Sequence, residues 1–181
     1  MYACRVEQSG GKPETAGMKM SLGARSRMLG HEKVVLRYYN DMGKNRGNCT
    51  WGAGILAHRG VCTQEELERK VTLKDLDVEF GRRVAEAERY VVRAITVPLN
   101  QDQFDALVSL TYNAGVRNMR GTYGYVNKGD FDGAARNINL LIKVIIIDKG
   151  KRREVTAPGL IKRRAEESAP FRTRNTSTAG K

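Results

Sequence analysis

The chain has 181 residues, 40% of them hydrophobic and 29% charged, which fits one domain with tails and a packed core. No stretch approaches the roughly 20 apolar residues of a membrane span, and residues 1–20 lack the apolar core of a secretory signal. The formal net charge of +12 creates a positive field suited to a polyanionic partner, whether nucleic acid, an anionic membrane surface or a cell wall carrying carboxylates.

Residues 1–20 are rich in Gly, Ser, Thr and Lys and show no periodicity, so they read as a linker or disordered tail. A first helix is expected from about Ser21 to Tyr39, because Met28, Leu29, Val35, Leu36 and Tyr39 recur at helical spacing. Glu32 falls on it. Asn40 to Asn48 carries two glycines and three asparagines and reads as a loop. Cys49 to Leu56 reads as a short strand, followed by a turn near His58-Arg59-Gly60. Thr63 and Glu66 form a capping box, opening a long helix to about Ala94 with Leu73, Leu76, Phe80, Val84, Ala87 and Val91 on one face. Gly81 marks a candidate bend. Asn100 caps a helix to about Asn113, with Phe104, Leu107, Val108 and Leu110 inward, and Gly115 signals its end. Asp130 opens another short helix. Val144–Ile147 and Arg152–Thr156 read as a hairpin around Gly150. Leu160 to about Ser168 is a last helix, and residues 172–181 are a polar tail. The fold class is α+β, mostly helical, with a small β element near the front.

Glycoside hydrolysis needs two carboxyl groups flanking the scissile bond. One stays protonated near neutrality, which burial achieves. The other stays ionised. A helix-borne Glu32 and a loop-borne Asp41 supply two such environments, and the hydroxyl of Thr50 can both donate to and accept from a water. Spacing alone does not select this pair among 20 acidic residues.

Four ordered motifs do. His31-Glu32-Lys33-Val34-Val35-Leu36-Arg37-Tyr38-Tyr39-Asn40-Asp41-Met42-Gly43 with Thr50-Trp51-Gly52-Ala53-Gly54 resembles the opening of phage-type lysozymes, the endolysins of glycoside hydrolase family 24. Leu99 to Leu107 and Leu110-Thr111-Tyr112-Asn113-Ala114-Gly115 resemble the family's central helix. Asn127-Lys128-Gly129-Asp130-Phe131 resembles its Gly-Asp segment. Pro158 to Glu167 resembles its Gly-Leu-x-x-Arg-Arg-x-x-Glu helix. The resemblance covers roughly residues 25 to 171 and implies a lysozyme-like catalytic domain over 21–171, with a small β-lobe, a helical lobe and a cleft between them.

It also implies a muramidase that cuts the β-1,4 bond between N-acetylmuramic acid and N-acetylglucosamine by an inverting course. Glu32 would be the general acid, Asp41 the second carboxylate and Thr50 the residue orienting water. Arg163 or Arg164 would lie beside Glu32. Arg163, Arg164, Asn113 and Tyr112 would support the site or bind substrate. Three departures stand out. Met42 to Cys49 is longer than the family's usual Asp-to-Thr spacing. Lys33 replaces a common glycine. The 144–156 hairpin replaces a stretch containing Trp and Gly.

Cys49 and Cys62 could pair, closing a loop worth about 3 kcal/mol, or remain two thiols. His31 and His58 are too few and too far apart for a metal site, and no cofactor or metal is expected. Trp51 is expected to pack rather than stack on sugar, since it points away from Thr50's strand face. Lys151-Arg152-Arg153 and Lys162-Arg163-Arg164 read as a solvated face or as attraction to an anionic wall. No nucleic-acid motif is present. The expected partner is bacterial peptidoglycan, with an immunity or inhibitor protein in the cleft as a conjectural second, and the chain is expected to be monomeric. It would be made in the cytoplasm and act in the periplasm or on the wall, its export carried by a holin, a secretion machine or an attached domain. Phage endolysin and secreted antibacterial effector are both compatible. So is a catalytically weak wall-binding module of a tail or secretion apparatus, which is the alternative to the enzyme.

Overall fold

A computed structural model describes residues 14–31, 34–148 and 151–172. A 3-10 turn at Glu14–Gly17 leads into helix α1, Leu22–His31. Strands β1 (Val35–Asn40), β2 (Cys49–Gly52) and β3 (Ile55–His58) follow, then the short helix α2 (Gln64–Glu68) and the long helix α3 (Leu73–Ala94). Helices α4 (Gln101–Ala114), α5 (Arg120–Asn127) and α6 (Phe131–Leu140) precede a hairpin of β4 (Lys143–Asp148) and β5 (Lys151–Thr156), and α7 (Pro158–Ser168) comes last. The architecture is mostly helical with a small antiparallel sheet, the α+β class expected.

The first expected helix is two elements. It ends at His31, and residues 35–40 form a strand. The spacing of Val35, Leu36 and Tyr39 suits a helix, but Val34 to Tyr39 is dense in β-branched and aromatic side chains that fit a pleated surface. β1 pairs antiparallel with β2, Tyr38 opposite Trp51, Tyr39 opposite Thr50 and Asn40 opposite Cys49. The expected single strand over 49–56 is likewise a tight hairpin. Gly52 and Gly54 turn it with φ of 61° and 70°, and β2 pairs back onto β3.

The expected helix from Thr63 to Ala94 is also interrupted. Thr63 and Glu66 do form the capping box, but α2 stops at Glu68. Lys70 then bridges to Arg37. Thr72 and Asp75 form a second capping box that starts α3. Leu73 stands exposed at this start, whereas Leu76, Phe80, Val84, Ala87 and Val91 are buried. At Gly81 an added Cβ would meet only the end of the flexible Arg25 side chain, at 2.8 Å.

Helix α3, about 33 Å long at 1.5 Å per residue, joins the two parts of the molecule. Its N-terminal Leu76 packs with Ala53 and Ile55 under the sheet. Phe80 to Val91 enter the main core with Phe104, Leu107, Leu110, Tyr123, Val126 and Ile138. Leu29 of α1 touches both clusters. Arg83 adds a polar tie by donating to the Leu56 carbonyl at 2.9 Å. Trp51 packs on the cluster under the sheet and stacks on Tyr38, ring centroids 6.0 Å apart.

Asn100 caps α4 as expected, and Gly115 ends it at φ 78°. Helix α5 has no expectation behind it. Gly121 and Gly124 make it a poor helix by propensity. It is held by burial of Thr122, Tyr123 and Val126 and by two hydrogen bonds. Thr122 donates to Asn137 at 2.8 Å. Thr111 Oγ1 lies 2.6 Å from both the Leu107 carbonyl and Tyr123 Oη. The carbonyl can only accept, so Thr111 donates to it and Tyr123 donates to Thr111.

Packed structure begins before residue 21. Met20 is buried, its N–H donates to Glu88 at 2.8 Å, and Ser21 donates through N–H and hydroxyl to Asp105 at 2.9 and 2.5 Å. Residues 1–13 and 173–181, which hold most of the two expected tails, lie outside the described residues. Among the described residues no helix is long and apolar enough to cross a membrane.

Candidate functional site

Asp41 is the first residue after β1, and its place is fixed by Asn48 from the far side of the loop. The Asp41 N–H donates to the Asn48 carbonyl at 3.1 Å. In return the Asn48 N–H donates to Asp41 Oδ1 at 2.8 Å, and the Asn48 side-chain amide donates to Oδ2 at 3.2 Å. Both carboxylate oxygens are therefore oriented by one residue, while Asp41 stays exposed to solvent. Gly47 makes this approach possible. It sits at φ 87°, and a Cβ there would fall 2.0 Å from Asp41 Oδ1.

Thr50 lies two residues beyond Asn48, buried in the sheet at 5% exposure. Its hydroxyl is 3.5 Å from the Asn48 carbonyl, the outer limit of a hydrogen bond. Asp41 and Thr50 are thus brought to the same end of the β1–β2 ladder, linked through Asn48. Glu32 lies outside the described residues, between the end of α1 and the start of β1.

A second group of expected residues meets in the helical part. Helix α7 presents Arg163 and Arg164, neither of them a solvated cation: they are 4% and 1% exposed. Both bind Glu167, one turn on. Arg163 Nε donates to Oε1 at 3.1 Å, and an Arg164 terminal nitrogen donates to Oε2 at 2.5 Å. The Ser109 hydroxyl completes the carboxylate at 2.7 Å. Arg164 also donates through Nε to the Leu141 carbonyl at 2.9 Å and through its other terminal nitrogen to Asn113 Oδ1 at 2.5 Å. Arg164 therefore ties α7 to the end of α6 and to α4, while its remaining nitrogen is held by Glu167 of the same helix. The solvated-face reading of this basic cluster holds for Lys162 alone.

Asn113, Arg163 and Arg164 line a groove of about 850 Å³ whose other wall is formed by Leu140, Lys143, Val144 and Ile145. The β4–β5 hairpin, paired in register from Lys143–Thr156 to Asp148–Lys151, shapes that wall. Tyr112 faces elsewhere. Its ring meets Phe80 edge-on at 5.6 Å, and it borders a smaller pocket with Gly54, Tyr90 and Thr111. Cys49 and Cys62 are joined by a disulfide, which closes the loop behind β2 and β3.

Sequence reasoning missed Asn48, Gly47 and the hub role of Glu167. Asn48 carried a signal: an Asn-rich loop with a carboxylate at one end and an amide at the other is built for mutual capping. Glu167 stood in the quoted Arg-Arg-x-x-Glu motif, where i,i+3 and i,i+4 spacing already brings it under both arginines.

Comparison with known proteins converges on one family. The phage lysozyme family model matches residues 30–167. The endolysin of Acyrthosiphon pisum secondary endosymbiont phage 1 is 28% identical over 140 residues, covering 76% of this chain and 92% of its own. The solved endolysin from Escherichia coli O157:H7 phage FAHEc1 superposes with a TM-score of 0.69 at 29% identity, over 86% of this chain and 94% of its own. The muramidase domain of SpmX from Asticaccaulis excentricus shares the fold, with a TM-score of 0.67 at 24% identity over 86% and 99% of the two chains. The chain belongs to the phage lysozyme family and is a lysozyme-type glycoside hydrolase, an enzyme that lyses peptidoglycan.

Proposed function

We propose that the chain cleaves the β-1,4 bond between N-acetylmuramic acid and N-acetylglucosamine, with Glu32 protonating the leaving oxygen, Asp41 as the second carboxylate and Thr50 orienting the attacking water. The observation that carries this reading is the Asp41–Asn48–Thr50 arrangement. A carboxylate held at both oxygens by N–H donors, yet exposed, is preorganised to act on a group bound in front of it. A hydroxyl on the adjacent strand is where a positioned water needs a partner. Of the two α7 arginines, Arg163 is the one we set against Glu32, because the three nitrogens of Arg164 are already engaged by Leu141, Glu167 and Asn113. Asn113 belongs to the substrate groove, whereas Tyr112, packed on Phe80, supports α3 against α4.

The test is digestion of purified peptidoglycan by wild type, Glu32→Gln and Asp41→Asn, followed by turbidity and mass spectrometry of the fragments. Reducing ends are expected from the wild type, with activity in each variant lowered by about two orders of magnitude or more. Anhydro ends would mean transglycosylation. Wall binding without fragment release would mean a docking module. Equal activity in all three proteins would remove Glu32 and Asp41 from the chemistry.

A further inference from the structure

Asp41 is flanked by Asn40 along the chain and by Asn48 across the loop, and the segment joining β3 to α2 holds both asparagines. The Gly60 N–H donates to Asn48 Oδ1 at 3.4 Å, and the Cys62 N–H donates to Asn40 Oδ1 at 2.7 Å. The Gly60 carbonyl in turn accepts the Cys49 N–H at 2.7 Å. The Gly60 N–H sets the sense of the Asn48 amide. With Oδ1 taken by Gly60, Nδ2 faces Asp41 Oδ2 at 3.2 Å. Turned over, the amide would set an oxygen against the carboxylate. Gly60 makes this turn at φ 90°, in the left-handed region that favours glycine.

The segment is exposed from His58 to Val61 and is pinned at two points. One is the Cys49–Cys62 disulfide. The other is His58, whose Nδ1 lies 3.0 Å from the Arg59 carbonyl oxygen and whose Nε2 lies 3.0 and 3.1 Å from the two Glu66 oxygens. A carbonyl and a carboxylate only accept. Both contacts are therefore hydrogen bonds only when each ring nitrogen carries a hydrogen, which is the imidazolium. A neutral ring has one N–H, so its bare nitrogen turns a lone pair on an oxygen and one contact is lost. Glu66 itself stays on α2, because its carboxylate accepts the Thr63 N–H at 2.8 Å. The part that gives way is the 58–60 turn.

The groups facing the ring are the Arg59 carbonyl from its own turn, Glu66 from α2 and the Cys49 sulfur from β2, which in the disulfide has no proton to lose. The Arg59 carbonyl and then Glu66 raise His58 above the ordinary histidine value, against the penalty of burial. The Thr63 N–H and then His58 hold Glu66 below the ordinary carboxylate value.

We propose that residues 58–62 brace Asp41 and that the His58–Glu66 pair is the pH-sensitive latch of this brace, closed while His58 is protonated and open once it is neutral. The inference rests on the reading of Asp41 as the second carboxylate. His58 and Glu66 are positioning residues: they act on Asp41 through Gly60 and Asn48, not on the substrate. A raised histidine contributes fully below its ordinary value, and that contribution is lost as pH rises through the raised one. A lowered carboxyl loses its contribution as pH falls through the lowered value. The latch is thus closed in mildly acidic solution and opens on the alkaline side of His58.

The experiment uses the full chain with its disulfide intact. The His58 ring signal, assigned by its loss in His58→Ala, is titrated by NMR together with the Asn48 side-chain NH2 and the Gly60 N–H. Both amide signals are expected to shift with the His58 midpoint. Lysis of purified peptidoglycan is then followed against pH at fixed ionic strength for wild type, His58→Ala and Glu66→Gln. The glutamine keeps an oxygen for the Thr63 N–H and removes the charge, so its circular dichroism should match wild type. Wild type should lose about two- to fivefold in rate as His58 deprotonates, the scale of one exposed ion pair. Both variants should run at the lowered rate on the acid side of that midpoint as well, and lack that limb. Asn48 and Gly60 signals that ignore the His58 midpoint would overturn the latch, as would an identical alkaline limb in all three proteins. The two failures are distinguishable: full lysis by Asp41→Asn overturns the reading of Asp41, whereas an Asp41-dependent enzyme with uncoupled amide signals overturns the latch alone.

Discussion

Replacing Glu167 by Gln tests whether α7 is held by a buried ionic hub. The carboxylate is 6% exposed and faces Arg163 and Arg164, whose side chains are 5% and 2% exposed. It accepts from both arginines and from Ser109. A glutamine has one carbonyl oxygen for these donors and turns an NH2 toward a guanidinium. Two arginines then share a low-dielectric site from which the carboxylate common to both has been removed. Breaking a buried pair in this way costs about 3–5 kcal/mol, a large part of the roughly 5–15 kcal/mol of a typical domain. At roughly 2–4 °C per kcal/mol for a chain this size, the melting point should fall by about 10 °C. Ser109→Ala removes one donor and leaves the charges paired, so it should cost only about 1–2 kcal/mol. Urea denaturation of both single variants and the double variant gives the magnitudes and their coupling. A loss below about 1 kcal/mol for Glu167→Gln would falsify the hub. A loss of that size confined to a changed m-value would place the effect in the unfolded chain instead.

Three further outcomes follow from the geometry. Cys62→Ser should lower stability by about 3 kcal/mol in the chain-entropy account of a 13-residue loop, measured by denaturation against the oxidised wild type; no change would mean the ladder needs no cross-link. Glu79 accepts from Arg82 and Arg83, and the Arg82 hydrogen bond, first among the causes, holds its carboxyl down at about 2. A depressed carboxyl stabilises above its unfolded value and loses that contribution as pH falls toward about 2. Allowing for solvent screening, Glu79→Gln should cost about 1 kcal/mol at neutral pH and nothing at pH of about 2, and a difference that persists in acid would refute the assignment. Gly47→Ala meets both a left-handed φ and the Asp41 carboxylate at 2.0 Å. It should cost about 1–2 kcal/mol and depress lytic activity well beyond what the lost stability explains, and full activity would show that the Asp41–Asn48 clamp is dispensable.

The elements legible in the sequence were those with local punctuation. The caps at Thr63 and Asn100 and the stop at Gly115 are short-range chemistry, and each stands where the residues put it. The β4–β5 hairpin was legible from its β-branched run. Errors arose where a long-range partner decides. Val34 to Tyr39 fits either period, and only pairing with Thr50 to Gly52 makes it a strand. Helix α5 contradicts its own propensity and exists because Tyr123 and Val126 find a core to enter. The break after Glu68 was readable, since Thr72 and Asp75 repeat the capping signature of Thr63 and Glu66, but one apolar face running on toward Ala94 obscured it. The site divides the same way. Asp41 and Thr50 came from motif resemblance. Asn48 came only from three dimensions, because hydrogen bonds closing a loop leave no periodicity.

The segment between Asp41 and Thr50, longer than the family resemblance implies, is where this division matters for function. In an unpaired loop, extra residues would displace Thr50 relative to Asp41. Here the chain closes on itself at the base, through the exchange between Asp41 and Asn48. The ladder then resumes at once, Asn40 opposite Cys49 and Tyr39 opposite Thr50. Extra length is pushed into residues 42–47, where positive φ at Gly43, Asn45 and Gly47 turns the backbone outward, and Met42 to Arg46 are exposed. The relation of Asp41 to Thr50 is set by strand register and one asparagine rather than by the number of residues between them. The added Lys44 and Arg46 fall on the solvent side, where they can meet an anionic wall polymer without altering that relation.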